Sequence, residues 1–213
     1  EAYSAYVKRY RAVGMDIAEQ AMEIAPAAHT SLGGVYARPD CSTSAEGLFV
    51  CGETLGGLHG ANRIGGNAGL ETMVFGRRAG CSAAAYMDTL SGEPADCTDE
   101  ISDAAATVNI DALRAELTKI VGGALGVIRE AGKLEQAKTE LERMLEQIPE
   151  SGCYAQQRLR NDTLTAYAVT LAALERKTST GCHVRTDSAG EPEKYRVNIR
   201  CENGRAVPRR TEI

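Results

Sequence analysis

The stretch GLHGANRIGGNAGLETMVFGRRAG, residues 57–80, joins a glycine-rich loop directly to a helix-forming segment. Ordering such a loop costs backbone entropy, so we expect its glycines at positive-φ positions or where a ligand approaches the backbone. The helix N-terminus that follows presents unpaired N–H groups and a partial positive charge, which suit an anion or an electron-rich carbonyl group. Arg63 in the loop offers a planar fork of donors for a carboxylate, although a surface ion pair is the more usual role of an arginine.

Two upstream segments carry further candidate residues. In GLFVCGET, the β-forming residues 48–51 predict a strand that ends at Gly52 and Glu53. Glycine lets the backbone approach a ligand there, so Glu53 can reach a ribose hydroxyl; the alternative is an ordinary buried strand followed by a solvated glutamate. In HTSLGG, His29 is either a hydrogen-bond donor to a carboxylate or a structural or exposed histidine.

The second half of the chain has the periodicity of three amphipathic helices after a linker at residues 90–100. The first is predicted to begin at Asp111 as N-cap and to end at Gly132, the second to cover 133–148, and the third 154–177. Short connections predict an antiparallel bundle. The predicted inward residues include Leu117, Ile120, Ala124 and Ile128 in the first helix, Leu134, Leu141, Leu145 and Ile148 in the second, and Leu164, Ala168, Leu171 and Leu174 in the third.

The two ends of the chain are shorter elements. The first 28 residues predict a helix in AYSAYVKRYRAVG followed by a mixed segment. Alternating residues over 195–201 and the Asn203-Gly204 pair predict a β-hairpin. The fold class is therefore predicted to be α+β and predominantly helical, with a three-helix C-terminal bundle and a short β tail.

Composition and charge argue against several classes of function. The net charge of −5 and the pI near 5.4 disfavour a nucleic acid or an anionic membrane surface as partner. No apolar run approaches the roughly 18 residues that span a bilayer. The seven cysteines include no CxxC pair, so we expect reduced thiols, no metal site and a cytoplasmic protein.

In this order, HTSLGG, GLFVCGET and GLHGANRIGGNAG resemble the succinate dehydrogenase/fumarate reductase flavoprotein family, whose relatives include L-aspartate oxidase. LRAELTKIVGGALGVIRE resembles the first helix of the family's C-terminal helical domain. NDTLTAYAVTLAALERKTSTGCHVRTD resembles its last helix and the G-x-H-x-R-x-D segment that follows. The resemblance covers nearly all of the chain, and its most specific part is HGANR.

The resemblance implies four parts: 1–28 as the end of a capping domain, with its last helix and return strand; 29–92 as the C-terminal part of an FAD-binding domain; 100–178 as the helical domain; and 179–213 as a tail packing on the flavin domain. The family's G-x-G-x-x-G unit and its proton-donating arginine are not in the sequence. We therefore expect a C-terminal fragment of a flavoprotein that carries no catalytic residue itself.

The resemblance also assigns binding residues. His29 and Arg63 would bind the carboxylates of a C4 dicarboxylate such as fumarate or succinate, and Glu53 would bind the ribose of FAD. The backbone amides facing the pyrimidine edge of the flavin would be those of Asn67, Ala68 and Gly69. Many relatives have Ser-Leu at the last two positions, so this chain keeps the backbone donors but has no hydroxyl there.

The implied activity is interconversion of fumarate and succinate by hydride transfer with flavin. The implied partner is an iron–sulfur subunit, and the implied place is peripheral, at the inner face of the membrane. The alternatives are an L-aspartate oxidase-like flavoenzyme and a non-catalytic helical module that docks an electron-transfer partner. We expect the chain alone to bind FAD weakly or not at all, to be inactive, and to self-associate through exposed apolar surface.

Two polar features remain outside the implied site. In GCHVRTD, alternation places His183, Arg185 and Asp187 on one side of an extended segment. We predict that they form a polar cluster packing on the flavin domain rather than a catalytic group. For His59 we predict a structural hydrogen bond.

Overall fold

The computed structural model describes residues 4–24, 28–92, 105–191 and 193–212. The chain divides into two units, Glu1–Ser31 and Leu32–Ile213. The first unit contains helix α1 (Ser4–Arg11), whose end is followed by an ion pair of 2.7 Å between Arg11 and Asp16. The described residues after α1 in this unit contain turns and coil but no strand, so the predicted return strand is absent from them, while residues 25–27 lie outside the description.

The second unit begins with an irregular, glycine-rich region. The predicted strand 48–51 is wrong as a regular element, because it forms only an isolated antiparallel bridge between Phe49 and Ser42. Gly47 and Gly52 flank it with φ of 75° and 70°, and such left-handed turns take the backbone out of the pairing direction. A 3-10 helix, Gly52–Thr54, follows.

Helix α2 (Asn67–Met87) begins directly after the glycine loop, as the sequence predicts. Its N-cap, Gly66, has a φ of 87°, a left-handed conformation that favours glycine. In the described structure only Glu71 and Ala79 of this helix are buried. Four of its large apolar side chains are exposed, namely Leu70, Met73, Val74 and Met87. The exposed apolar surface expected for the chain is therefore found on α2.

A three-helix bundle forms the main core, which confirms the predicted architecture. It consists of α3 (Ile110–Ala124), α4 (Ala131–Gln147) and α5 (Tyr154–Glu175). The side chains of the central residues are at most 8% exposed. These residues are Leu117, Ile120, Ala124, Ala137, Leu141, Met144, Ile148, Leu159 and Ala166.

The boundaries of α3 differ from those predicted. Its N-cap is Asn109, not Asp111, because the Asn109 side chain accepts a hydrogen bond of 3.0 Å from the Ala112 amide. The helix ends at Ala124, and Gly132 lies inside α4. The predicted inward Ile128 instead begins strand β1.

The buried face of α5 is rotated from the predicted one. Leu164 is 41% exposed and Ala168 is half-buried, whereas Thr163 and Thr170 are fully buried. Each threonine hydroxyl donates to the carbonyl oxygen four residues earlier, at 2.8 Å, so its polar group is satisfied within the helix. Leu171 is buried as predicted.

In the described ranges, four strands form two small sheets. β1 (Ile128–Arg129) pairs in parallel with β2 (Val184–Arg185), and β3 (Tyr195–Glu202) pairs antiparallel with β4 (Arg205–Glu212). Asn203 and Gly204 connect the last two with φ of 52° and 74°, which confirms the predicted hairpin turn. Within the described ranges, no helix is long and apolar enough to cross a bilayer.

Candidate functional site

The glycine loop starts from a close backbone contact within the second unit. The Val35 amide donates to the Thr54 carbonyl at 2.8 Å, and the Gly56 amide donates to the Val35 carbonyl at 3.0 Å. A Cβ at Gly34 would lie 2.2 Å from the Thr54 oxygen, and one at Gly56 would lie 2.7 Å from the Gly34 oxygen. Only glycine fits at either position, so the backbone at Gly34 packs directly against the backbone at the start of the loop.

The segment of Glu53 lies against α2. Glu53 is exposed within its 3-10 helix, and the Leu55 amide closes that turn on the Gly52 carbonyl at 2.9 Å. A Cβ at Gly52 would lie 3.8 Å from Cγ2 of Thr72, in the first turns of α2. The structure therefore brings the Glu53 turn to the end of α2 where the predicted amide donors lie.

The N-terminus of α2 is open. Gly66 has no side chain to accept hydrogen bonds from the first-turn amides of Asn67, Ala68 and Gly69. The Asn67 amide donates to the Ile64 carbonyl at 3.3 Å. Within the described part of the chain, a Cβ at Gly65, Gly66 or Gly69 would meet no heavy atom within 4 Å. These glycines therefore leave space beside the backbone in which an electron-rich group can approach the amides of Ala68 and Gly69.

Two buried polar atoms beside this helix end are unsatisfied. Among the described residues, Arg63 Nε and Glu71 Oε1 are buried without a hydrogen-bond partner. An unpaired buried N–H or carboxylate oxygen costs free energy comparable to a lost hydrogen bond. Both atoms therefore indicate that a further group completes the site.

His59 connects the loop to α2. Its Nε2 lies 3.4 Å from Oε2 of Glu71, and the two side chains are 15% and 6% exposed. The structural hydrogen bond predicted for His59 is present. The sequence reasoning missed Glu71; a single acid among the apolar residues of the first α2 turns was the signal that could have found it.

The remaining predicted site residue, His29, is exposed and belongs to the first unit. Its convergence with Arg63 on one ligand therefore stays a prediction. The described residues contain no group of three or more His, Cys, Asp or Glu side chains arranged to hold a metal ion.

The predicted polar cluster is a structural clamp at the ends of α4 and α5. Arg185 holds Asp187 in a two-point ion pair, which keeps the pKa of this carboxyl well below its usual range. Asp187 also accepts from the Ala131 amide at 2.6 Å. Arg129 donates to Nδ1 of His183 at 2.9 Å, and Nε2 of this neutral ring donates to the Arg176 carbonyl at 2.9 Å.

Burial lowers the pKa of His183, and the charges of Arg129, Arg185 and Arg176 act in the same direction, although the bond to the Arg176 carbonyl opposes them. With both ring nitrogens engaged, His183 has no free position for proton transfer. The arrangement supports a structural role for the cluster.

Protein-family comparisons identify both halves of the chain. A family model described as an FAD binding domain matches residues 3–68, and one described as the fumarate reductase flavoprotein C-terminus matches residues 114–198. The chain belongs to the succinate dehydrogenase/fumarate reductase flavoprotein family. The first match includes the glycine loop and the start of α2, and the second runs from within α3 into β3.

Three relatives illustrate the similarity. An uncharacterized FAD-dependent oxidoreductase of Methanocaldococcus jannaschii is 35% identical over 91% of this chain and 38% of its own length. One subunit of the fumarate reductase (CoM/CoB) of Methanothermobacter marburgensis is 34% identical over 82% of this chain and 35% of its own length. An L-aspartate oxidase of Pseudomonas aeruginosa is 33% identical over 82% and 34%. The chain thus spans little more than a third of these relatives.

A solved structure shows the same fold. The FrdA chain of E. coli quinol fumarate reductase superposes with a TM-score of 0.82, covering 100% of this chain and 42% of that one, at 22% identity. The bundle and the glycine-rich region therefore have the architecture of the corresponding part of that flavoprotein chain.

Proposed function

We propose that this chain is part of an FAD-dependent oxidoreductase that interconverts fumarate and succinate or a similar C4 dicarboxylate. The observation that carries the proposal is the pairing of an open helix N-terminus with a half-buried arginine whose Nε lacks a partner among the described residues. Both features lie within seven consecutive residues, 63–69, that join the glycine loop to α2. Together they offer donors for an electron-rich cofactor edge and for a carboxylate.

The residues present fit an FAD cofactor at the end of α2. The amides of Asn67, Ala68 and Gly69 would face the pyrimidine edge of the flavin and stabilise negative charge there. Glu53, on the adjacent 3-10 helix, would accept a hydrogen bond from the ribose. FAD supplies two-electron redox chemistry when bound.

Arg63 and His29 would bind the substrate. A guanidinium can hold one carboxylate with two parallel hydrogen bonds and polarise the conjugated double bond. His29 would donate to the other carboxylate. This proposal requires Arg63 and His29 to bind the same substrate molecule. It assigns the proton-donating step to a residue outside this chain.

The proposal extends to organisation and partners. The four parts 1–28, 29–92, 100–178 and 179–213 would be the end of a capping domain, part of the flavin domain, the helical domain and a tail. The relative that is named as one subunit of a fumarate reductase supports assembly with other chains, for which we propose an iron–sulfur electron-transfer protein. We place the protein in the cytoplasm, peripheral at the inner face of the membrane. The chain alone would bind FAD weakly and be inactive.

The test is substitution of Arg63 in the longer flavoprotein that we propose contains this chain. Arg63→Gln should lower kcat/KM for fumarate by about a hundredfold or more while FAD stays bound, because a charged donor to the substrate is lost. Arg77→Gln is the control, since it removes an exposed arginine of α2. Unchanged kinetics in the Arg63 variant, or no reaction of the unmutated protein with fumarate, would refute the proposal.

The second candidate is an L-aspartate oxidase-like activity, which the Pseudomonas aeruginosa relative supports. Both substrates present two carboxylates, but L-aspartate adds an ammonium group that needs an acceptor. Steady-state assays with fumarate, succinate and L-aspartate on the same preparation separate the two activities. The main proposal predicts that the kcat/KM for L-aspartate is the lowest of the three.

A further inference from the structure

A turn from the C-terminal half of the chain braces the loop that carries Arg63. The Cys182 amide donates to the Ala61 carbonyl at 2.9 Å, and Cys182 Sγ lies 3.4 Å from Oδ1 of Asn62. Both partners immediately precede Arg63 in the chain. The turn therefore contacts the backbone at the point from which the Arg63 side chain departs.

Gly181 makes this contact possible. Its φ is 53°, in the left-handed region, and a Cβ there would lie 2.2 Å from the Ala61 oxygen and 2.5 Å from the Ala61 carbonyl carbon. Because both nearest atoms are backbone, a side chain at this position forces either the turn or the loop to move. A movement of about 1 Å is needed to restore ordinary van der Waals contact.

The turn itself is held firmly, so the loop is the part that would move. Thr180 and His183 form reciprocal backbone hydrogen bonds of 2.8 and 3.0 Å, and the Val184 amide donates to the Val127 carbonyl at 3.0 Å. The His183 ring is fixed on both sides by its bonds to Arg129 and Arg176. By contrast, the loop has open space around Gly60 and Gly65 among the described residues.

We propose that Gly181 is a positioning residue: its lack of a side chain lets the 180–183 turn set the backbone of Ala61 and Asn62, and thereby the place of Arg63 against the substrate carboxylate. The inference rests on the proposed function for the role of Arg63. It links the start of the tail, just after the helical domain, to the substrate loop, so that a residue with no substrate contact controls substrate affinity.

The experiment compares two identical substitutions in the longer flavoprotein, Gly181→Ala and Gly204→Ala. Both glycines have left-handed φ, but Gly204 lies in the exposed β3–β4 turn with no heavy atom near its Cβ among the described residues. Gly181→Ala should raise the KM for fumarate by about tenfold or more with a smaller change in kcat and unchanged FAD content, because displacing the loop by about 1 Å misplaces a substrate-binding group. Gly204→Ala should leave all three unchanged.

A second pair of substitutions, which disturbs the structure less, tests the inference if the Gly181→Ala protein does not fold. Cys182→Ala removes the Sγ contact to Asn62, and Cys201→Ala removes another exposed thiol, in β3. Cys182→Ala should raise the KM about twofold to threefold because one weak contact to the loop is lost, and Cys201→Ala should not. The inference is overturned if Gly181→Ala has the same KM for fumarate as Gly204→Ala and Cys182→Ala has the same KM as Cys201→Ala.

Hydrogen–deuterium exchange of residues 58–66 separates this inference from the proposed function. Faster exchange in Gly181→Ala than in Gly204→Ala supports the positioning role even if the unmutated protein does not act on fumarate. Equal exchange in the two variants overturns it, whatever the substrate.

Discussion

The three-helix bundle and the glycine-rich region differ in how far their apolar side chains are buried. In the bundle, Leu134, Leu141 and Met144 have no exposed surface. In α2, Met73 is 77% exposed and Leu70 is 63% exposed. The bundle closes its core with its own residues, whereas α2 presents its apolar face outward.

The difference separates stability from function in this chain. The bundle is stabilised by contacts within itself, because its core side chains, its helix cap and its buried threonine hydroxyls all have their partners inside it. The glycine-rich region has a helix end without a side-chain cap and two buried atoms that have no partner in the described part of the chain, and these are the features of a site that other groups complete. Stability should therefore depend on the bundle, and ligand binding on the loop.

The largest expected effect is loss of a bundle leucine. Leu141→Ala should lower the free energy of unfolding by about 2 to 5 kcal/mol, because the fully buried side chain leaves a cavity. The counterpart in α2, Met73→Ala, should change it by no more than about 0.5 kcal/mol. Urea denaturation of both variants measures the contrast, and equal losses would show that the two regions share one core.

A smaller effect is expected at the start of α3. Asn109→Ala should cost about 1 kcal/mol, because the Ala112 amide loses its capping acceptor. Asp111→Ala is the matched control at the position that the sequence suggests as the cap, and it should cost only a few tenths of a kcal/mol. If the Asp111 variant is the less stable of the two in urea, the assignment of the cap is wrong.

The clamp at the ends of α4 and α5 predicts a pH dependence. Because the pKa of His183 is lowered in the folded chain, the unfolded chain takes up a proton first as the pH falls below about 6.5, so acidification destabilises the fold. Urea midpoints at about pH 7, 6 and 5 should therefore decline, and His183→Gln should flatten that decline. A His183 variant with the unmutated slope would contradict the assignment.

The smallest effect on stability is expected from a substitution on the exposed face of α2. There the measurement that should change is the self-association of the chain. Met73→Ser should leave the urea midpoint within error while it lowers the apparent mass of the isolated chain in light scattering, since it interrupts an apolar surface. Leu164→Ser, on the exposed side of α5, is the control and should not change the mass. An unmutated chain that is monomeric would remove the basis of this prediction.

The sequence predicted what depends on local pattern. Periodicity located the helices of the bundle, and Asn203-Gly204 located the hairpin. The predicted end of α3 was wrong because a non-local contact, the parallel pairing of Ile128 with Val184, draws the chain out of the helix. The inward face of α5 was wrong because threonines can be buried once their hydroxyls bond within the helix, which a count of apolar residues does not capture.

The site was predictable to the extent that it lies in one stretch. The loop, Arg63 and the open end of α2 adjoin in sequence, so a motif can find them. Glu71 and Gly181 were not predicted as residues that support the loop, because their roles depend on contacts that only folding creates. The contact between His59 and Glu71 joins residues 12 positions apart, and the contact between Asn62 and Cys182 joins residues 120 positions apart.

The most direct test of the division between the two regions is hydrogen–deuterium exchange of the longer flavoprotein with and without FAD. FAD should slow exchange in residues 52–70 and leave α3, α4 and α5 unchanged, because the first turn of α2 and the Glu53 turn bind the cofactor while the bundle is already closed. Protection that appears in the bundle but not in residues 52–70 would contradict it.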